Sequence, residues 1–412
     1  MERTKQGRFL KCASNEKHPH WDIHTRREKE LYPRIGDIRN PYERDYTRIL
    51  HCLAYRRLKH KTQVFFNIDN DHICTRMEHV QHVESVSCTI AKYLGLNTDL
   101  TRAIAMGHDL GHAPFGHEGE VELSRIRKEN KMDKFWHERN SLRVIDYIEL
   151  LESNTSTFKN LDLTYAVRDG IISHCGELDE NVLKPRRNAI DLGKYSKKGK
   201  YSPYTWEGCV VKISDKIAYV GRDIEDAVRL KFISEKDMAE LNELSGKYGE
   251  RTINTTVLIN DFIVSICENS SPEEGIRLSE KYSRMLNDIK HFNNEKIYQN
   301  PKFNAYKNYA ALVIRSIYEV LIAQYDGADT IKNLLDIKFA YPNLVSDFLD
   351  FINKYMAPEM LGEKREKYAR YENRKIYGMM DTKEIYVEAI LDFISGMTDR
   401  YAVAIHNELL KY

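Results

Sequence analysis

The chain reads as an all-α protein on three observations. Apolar residues recur at steps of three and four along several long stretches, helix-start signals stand ahead of them, and one short segment suggests a strand. Its 412 residues, 42% hydrophobic and 30% charged, suffice for a sizeable core and up to two subdomains. Lys and Arg total 63 against 62 Asp and Glu, so a net charge of +1 gives no global reason to expect DNA or membrane binding. No run of about 18 apolar residues occurs, and Met1-Glu2-Arg3-Thr4-Lys5 leads into none, so a cytoplasmic location without membrane contact is expected. Cys12, Cys52, Cys74, Cys88, Cys175, Cys209 and Cys267 form no CxxC pair and are odd in number, which points to reduced thiols.

Taken in order, residues 1–34 carry nine Lys or Arg against five Asp or Glu and no clear apolar period, an irregular basic arm. Ile49, Cys52, Leu53 and Leu58 then make the stripe of a helix predicted over residues 44–58. Thr62-Gln63-Val64-Phe65-Phe66, bounded by Asn67 and by Asp69-Asn70-Asp71, suits a small strand or an extended connector. Thr75-Arg76-Met77-Glu78 is a capping box, and the helix it starts carries His79, Val83, Val86 and Ile90 on one face. Leu94-Gly95-Leu96-Asn97 ends that helix, and Asn97 caps the next, whose inner side holds Leu100, Ala103, Ile104 and Gly107. His108 follows at i+8 from Leu100, facing inward and taking Asp109 with it. Farther on, Ile213, Ile217, Val220, Ile224 and Ala227 form a core stripe, while Asp215, Tyr219 and Asp223 recur at i, i+4 and i+8 on another face. Two apolar faces, through Val313, Ile314, Ile317 and Leu321 and through Ile390, Phe393, Ile394 and Met397, need partners within the subunit or across an interface. Glu363-Lys364-Arg365-Glu366-Lys367 is a solvated surface.

One stretch is crowded with titratable groups. His72, His79, His82, His108, His112 and His117 supply six of the chain's 15 histidines between residues 72 and 120. A histidine on an apolar face is usually a hydrogen-bonded core residue, but a buried aspartate costs several kcal/mol unless it is paired or ligates a cation. Neutral imidazoles beside a carboxylate suit a catalytic divalent metal, and an internal salt bridge is the alternative. The loop Gly111-His112-Ala113-Pro114-Phe115-Gly116-His117-Glu118-Gly119-Glu120 then spends two histidines and two carboxylates on one bend.

His79, the His108-Asp109 pair and a later aspartate resemble the metal site of the HD-domain phosphohydrolase superfamily. More narrowly, Arg57-Leu58-Lys59-His60-Lys61-Thr62-Gln63-Val64-Phe65, Thr75-Arg76-Met77-Glu78-His79 and the run from His108 to His117 resemble the bacterial deoxyguanosinetriphosphate triphosphohydrolases and their animal dNTPase relatives. The resemblance implies an HD-domain helical core with an additional C-terminal helical region. Its Asp-x-Ile-Ala-Tyr helix is matched at Asp215-Lys216-Ile217-Ala218-Tyr219, which implies His79, His108, Asp109 and Asp215 as ligands of Mg²⁺ or Mn²⁺, with iron as a further candidate. By the same resemblance His117 and Glu120 match a catalytic pair, in which Glu120 orients His117. His137, in Phe135-Trp136-His137-Glu138, matches a histidine near the phosphates. Gln63, Arg76, His112, Lys216, Tyr219 and Asp223 match substrate positions, with Tyr219 packing beneath a deoxyribose. His72 and His82 are bystanders.

The activity so implied is metal-dependent hydrolysis of dNTPs to deoxynucleoside and triphosphate. A nucleotide-sensing or nucleic-acid-binding regulatory protein, or a hydrolase of another phosphoester, are the alternatives. The resemblance also implies a homo-oligomer and, for some members, a nucleotide effector. Residues 184–203 hold seven Lys or Arg against one Asp, a stretch that suits single-stranded nucleic acid or is simply a basic surface loop. The expected organisation is an arm over 1–40, a catalytic core over 41–235, and a helical region over 236–412 with an interface or regulatory role.

Overall fold

Capping chemistry starts the helices where the sequence predicts. In the computed structural model, which describes residues 6–31, 36–65, 72–175, 181–249 and 255–411, both capping-box bonds form between Thr75 and Glu78, and Asn97 accepts from the amides of Asp99 and Leu100. The early helices are α1 (Trp21–Thr25), α2 (Pro41–His51), α3 (Leu53–Arg57), α4 (Arg76–Leu94) and α5 (Thr98–Gly107). Then come α6 (Gly116–Glu129), α7 (His137–Arg143), α8 (Tyr165–Ser173) and the long α9 (Trp206–Arg229). The second half holds α10 (Glu235–Lys247), α11 (Thr255–Asn269), α12 (Glu280–Asn293), α13 (Phe303–Ile322), α14 (Thr330–Asp336), α15 (Pro342–Asn353), α16 (Arg365–Tyr368), α17 (Lys383–Ser395) and α18 (Asp399–Leu409). Among the described residues, strands are confined to two antiparallel pairs, Leu150–Glu152 with Phe158–Asn160 and Val182–Leu183 with Ile276–Arg277. The all-α class is borne out, and no helix among the described residues is long and apolar enough to cross a membrane.

Three apolar clusters organise these helices. One joins α2, α4, α5 and α8 through Ile49, Val80, Val83, Ala103, Ile104, Val167 and Ile171. A second lies along α9, whose stripe Ile213, Ile217, Val220, Ile224 and Ala227 is buried against Val86 and Ile90 of α4 and against α11 and α12. The third gathers α13, α15, α17 and α18 and also takes in Ala113, Phe115, Leu123 and Ile126 from α6 and the loop before it. The two apolar faces of the second half therefore cover each other, α13 against α17 and α18. Helices α4, α5 and α9 meet at the centre, which brings residues 79, 108, 109 and 215 to one place.

One local expectation is corrected, and one pair of alternatives is resolved. The helix predicted over residues 44–58 breaks at Cys52, whose ψ of 155° lies outside the helical range. The Glu149 carboxylate accepts from the Leu53 amide and from Arg57, both at 2.7 Å, so a tertiary partner satisfies the backbone group that the break exposes. Of the two readings for the segment from Thr62, the described residues 62–65 follow the connector: Thr62 makes a single bridge to Thr75 and gives its amide to the Asp399 carboxylate, 3.0 Å away. Phe66, Asn67 and Asp69-Asn70-Asp71 lie outside the described residues, as do Met1–Lys5.

The N-terminal arm is packed onto the body. Phe9 is fully buried edge-on to Trp206, and Ser14 Oγ lies 2.6 Å from both His24 Nδ1 and the Tyr42 hydroxyl. Burial, aided by the neighbouring His18 and His20, lowers the His24 pKa to about 3. The unfolded chain then binds a proton that the folded one refuses, so this contribution is complete above the ordinary histidine range and is lost as pH falls from there toward 3. Between pH 7 and pH 4.5 the loss is expected to be about 2 kcal/mol. Urea unfolding at both pH values should show His24→Gln losing about that much less than the parent, and equal losses would refute this account.

Candidate active site

The side chain at the centre is His108, the residue after α5. It is fully buried, and its Nδ1 lies 2.7 Å from the Ala105 carbonyl. A carbonyl can only accept, so Nδ1 carries the proton and Nε2 keeps its lone pair in the neutral ring. That Nε2 is buried and has no hydrogen-bond partner. It points at carboxylates, 3.4 Å from Asp109 Oδ1 and 3.8 Å from Asp215 Oδ1. His79 Nε2, one turn into α4, stands 3.0 Å from Asp215 Oδ1 and 4.0 Å from Asp109 Oδ2.

Two imidazole nitrogens and two carboxylates converging on an orphaned lone pair are a fitting donor set for a divalent cation. Burial pushes Asp215 up, yet the His79 hydrogen bond and the neighbouring imidazoles outweigh it and bring its pKa down to about 2. Asp109 is likewise held well below the carboxylate range against burial, by His112, His108 and Arg76. Both carboxylates are therefore ready as anions.

A shell of charge surrounds this set. Arg76 Nη1 donates to Asp109 Oδ2 at 2.8 Å, and Nη2 reaches the Gln63 carbonyl at 3.3 Å. His112 Nδ1 lies 3.0 Å from Asp109 Oδ1, and its ring stacks on His137 with centroids 3.9 Å apart. His137, the first residue of α7, bonds through Nδ1 to Glu120 Oε2 at 2.9 Å and has Glu138 Oε2 3.6 Å from Nε2. Burial opposes charging this ring, but Glu138 and Glu120 together lift its pKa to about 9, so it is cationic near neutrality. His117 is different: its side chain is 61% exposed, with Nδ1 3.8 Å from Glu120 Oε2. Glu120, the fifth residue of α6, thus holds His137 at the start of α7 more closely than it holds His117.

Close packing sets this loop against α7. A Cβ on Gly111 would sit 2.0 Å from the Ser141 amide nitrogen, and one on Gly119 would sit 1.9 Å from the Pro114 carbonyl oxygen. Asn140 donates to the Gly111 carbonyl at 2.7 Å and Ser141 Oγ to the His108 carbonyl at 2.7 Å, so α7 is pinned to both ends of the His108-to-Gly111 run.

The cavity over these groups holds about 400 Å³ and is lined by Gln63, Arg76, His79, His112, His117 and Asp215 among others. Tyr219 and Asp223 line it as well, so the i, i+4, i+8 row on α9 faces a cleft. Lys216 does not line it; it is buried elsewhere on α9. His82 pairs with Arg222 at 3.0 Å, outside the donor set. The basic stretch over 184–203 is an exposed loop anchored by buried Leu192 and Tyr195, and Lys198 from it comes within 3.5 Å of Glu138.

Five contributors were not singled out from the sequence. Glu138 is 2% exposed with neither carboxylate oxygen hydrogen-bonded, and His174 Nδ1 meets the Ile171 carbonyl at 2.6 Å while burial lowers its pKa to about 4. Lys290, Asn294 and Tyr298 line the cleft from α12 and the π-helical turn Asn294–Tyr298 that continues it. Their i, i+4, i+8 spacing repeats that of Asp215, Tyr219 and Asp223 and is the signal that could have found them. Tyr298 hydrogen-bonds Asp223, whose pKa burial nevertheless raises to about 6.

A larger cavity of about 770 Å³ also borders α7, through Trp136, Arg139, Asn140 and Arg143. Its arginines are largely committed, Arg143 to Asp392, Arg168 to Asp146 and Arg127 to Glu388, and it lacks the convergent histidines. The smaller cleft is the one on which the histidines and carboxylates converge.

Comparison with known proteins gives a family match over the same region. Residues 76–220 match the HD domain family model, a span that runs from the start of α4 into α9 and contains all four central donors. A deoxyguanosinetriphosphate triphosphohydrolase-like protein of Caldanaerobacter subterraneus subsp. tengcongensis is 32% identical over 375 residues, 90% of this chain and 86% of that protein. Proteins of the same name from Rickettsia rickettsii, at 28% over 415 residues, and Wolinella succinogenes, at 29% over 408, are also similar. The alignments cover 92% and 91% of this chain and 94% and 96% of those proteins.

Proposed function

Because the chain belongs to the family of deoxyguanosinetriphosphate triphosphohydrolase-like proteins and carries an HD domain, we propose that it hydrolyses deoxynucleoside triphosphates to deoxynucleoside and intact triphosphate. The observation that carries the reading is the orphaned Nε2 of His108 beside His79, Asp109 and Asp215, three residues that line a cleft of nucleotide size. These four residues would hold the cation, with Mg²⁺, Mn²⁺ and iron as its candidates. A divalent ion held there supplies neutralisation of phosphoryl charge and a more acidic water.

The remaining roles fall to the chain's own groups. Arg76 holds Asp109 in place and presents positive charge to the cleft. Cationic His137, gripped by Glu120, faces the same space and binds phosphate oxygens. His117, at the exposed mouth, donates a proton to the leaving 5′ oxygen, with Glu120 orienting it. Tyr219, with Asp223 and Tyr298 joined by a hydrogen bond, forms the wall beneath the sugar, where a 2′-hydroxyl would meet packed side chains. Gln63, whose Oε1 is buried without a partner, is placed to receive a sugar hydroxyl.

Product identification tests the reading. Purified protein with Mg²⁺ or Mn²⁺, given each dNTP singly and in pairs, should release triphosphate and deoxynucleoside in equal amounts. Release of orthophosphate or pyrophosphate would assign it to another phosphoester chemistry, and no release from any combination would remove the enzymatic reading.

A further inference from the structure

Two segments that line the cleft are tied to one point in the C-terminal half, far outside the HD match. The loop leading to His117 contains Phe115 at φ 63°, in the left-handed region that side chains rarely adopt, followed by Gly116 at φ 59°. The Phe115 amide donates to Asp399 Oδ1 at 2.9 Å. The other oxygen of the same carboxylate accepts the Thr62 amide at 3.0 Å, next to Gln63. Beside it, Lys61 is 2% exposed and donates through Nζ to the His112 carbonyl and to the Ser395 carbonyl, the latter at 2.8 Å. Ser395 is the last residue of α17 and Asp399 the first of α18, so one helix junction holds both strips of cleft wall.

The charges suit their places. Carbonyls at the end of a helix have no partner within it and carry partial negative charge, which suits the Nζ donor of Lys61, whose pKa burial lowers to about 7. A carboxylate that accepts two backbone amides is bound from both sides and fixes the spacing between them. Neither Ser395 nor Asp399 lines the cleft itself.

We infer that Asp399 and Lys61 are positioning residues: they lock the His117 loop and the Gln63 segment in register, which makes the α17–α18 junction part of the catalytic apparatus. This rests on the proposed dNTP hydrolysis for its kinetic arm only. Asp399→Asn in the full-length chain keeps the shape but turns one acceptor into a donor facing an amide, so one clamp bond is lost. The variant should lower kcat by about 10- to 100-fold through misplacement of the loop, while KM and metal content stay within about twofold of the parent. Hydrogen exchange of peptides covering residues 62–65 and 112–117 should accelerate, while that of peptides in α4 and α9 stays unchanged. Lys61→Met, which keeps the stem and removes both Nζ bonds, carries the same test if Asp399→Asn does not fold. Unchanged exchange in both segments would overturn the inference, as would a loss of kcat matched by equal loss of metal and of protection throughout the chain. Should the parent release no triphosphate, the exchange arm still decides the clamp, and the two failures stay distinct.

Discussion

Asp109→Ala is expected to abolish metal binding and hydrolysis together. The carboxylate is 3% exposed and serves several partners at once, with one oxygen near His108 Nε2 and His112 Nδ1 and the other accepting from Arg76. Removing it takes one oxygen donor from a four-residue set. It also leaves the Arg76 guanidinium, itself 2% exposed, without its anion. Breaking a buried ion pair by deleting one partner destabilises by about 3–5 kcal/mol, so the variant should melt well below the parent. Elemental analysis after dialysis should find bound metal reduced to a few per cent of the parent's, and turnover should fall by more than about 10³-fold, beyond the 10- to 100-fold typical of merely supporting residues. Metal retained at the parent's level would show that Asp109 is no ligand.

His117→Ala should separate the two properties that Asp109→Ala removes together. Its imidazole stands mostly in solvent at the cleft mouth; its nearest possible fellow ligands are His112, Glu120 and His137 and not His79, His108, Asp109 or Asp215, so metal content at that central set should be unchanged. Stability should move by no more than about 0.5 kcal/mol, as for surface positions generally. Turnover, in contrast, should fall by about 10²- to 10⁴-fold, the range that general acid help supplies. Steady-state kinetics beside elemental analysis checks both halves. If the substitution emptied the metal site, proton donation would be the wrong role for His117.

Much of this site is legible in the sequence because its donors come in short, patterned runs. A capping box fixes the start of α4, so the face carrying His79 follows from helical geometry alone, and Val83, Val86 and Ile90 on that face are buried as the spacing requires. The same arithmetic turns His108 inward at the end of α5. Asp215, Tyr219 and Asp223 are visible as a row but not as a cleft wall, because periodicity locates a face without saying what lies opposite it. What lies opposite is the row of Lys290, Asn294 and Tyr298, on a helix that begins 65 residues after Asp215. Glu138 and His174 escape for a related reason: neither belongs to a periodic row, Glu138 standing in the polar run His137-Glu138-Arg139-Asn140 and His174 just after Ile171-Ile172-Ser173.

Local periodicity, capping and ordered motifs are enough to establish the helical class, the family and the residue types available for chemistry. Three further features depend on the packed arrangement. Glu149 breaks the predicted helix at Cys52, because a carboxylate brought from 96 residues away takes up the freed amide of Leu53. Glu120 grips His137 more closely than His117, because the fold brings Glu120 Oε2 to 2.9 Å from His137 Nδ1 and leaves it 3.8 Å from His117 Nδ1. Asp399 holds Thr62 and Phe115, at separations of 337 and 284 residues, because a carboxylate has two oxygens and the fold brings two amides to it. Contacts of that range leave no period in the chain, and they set the shape of the cleft in which the patterned residues act.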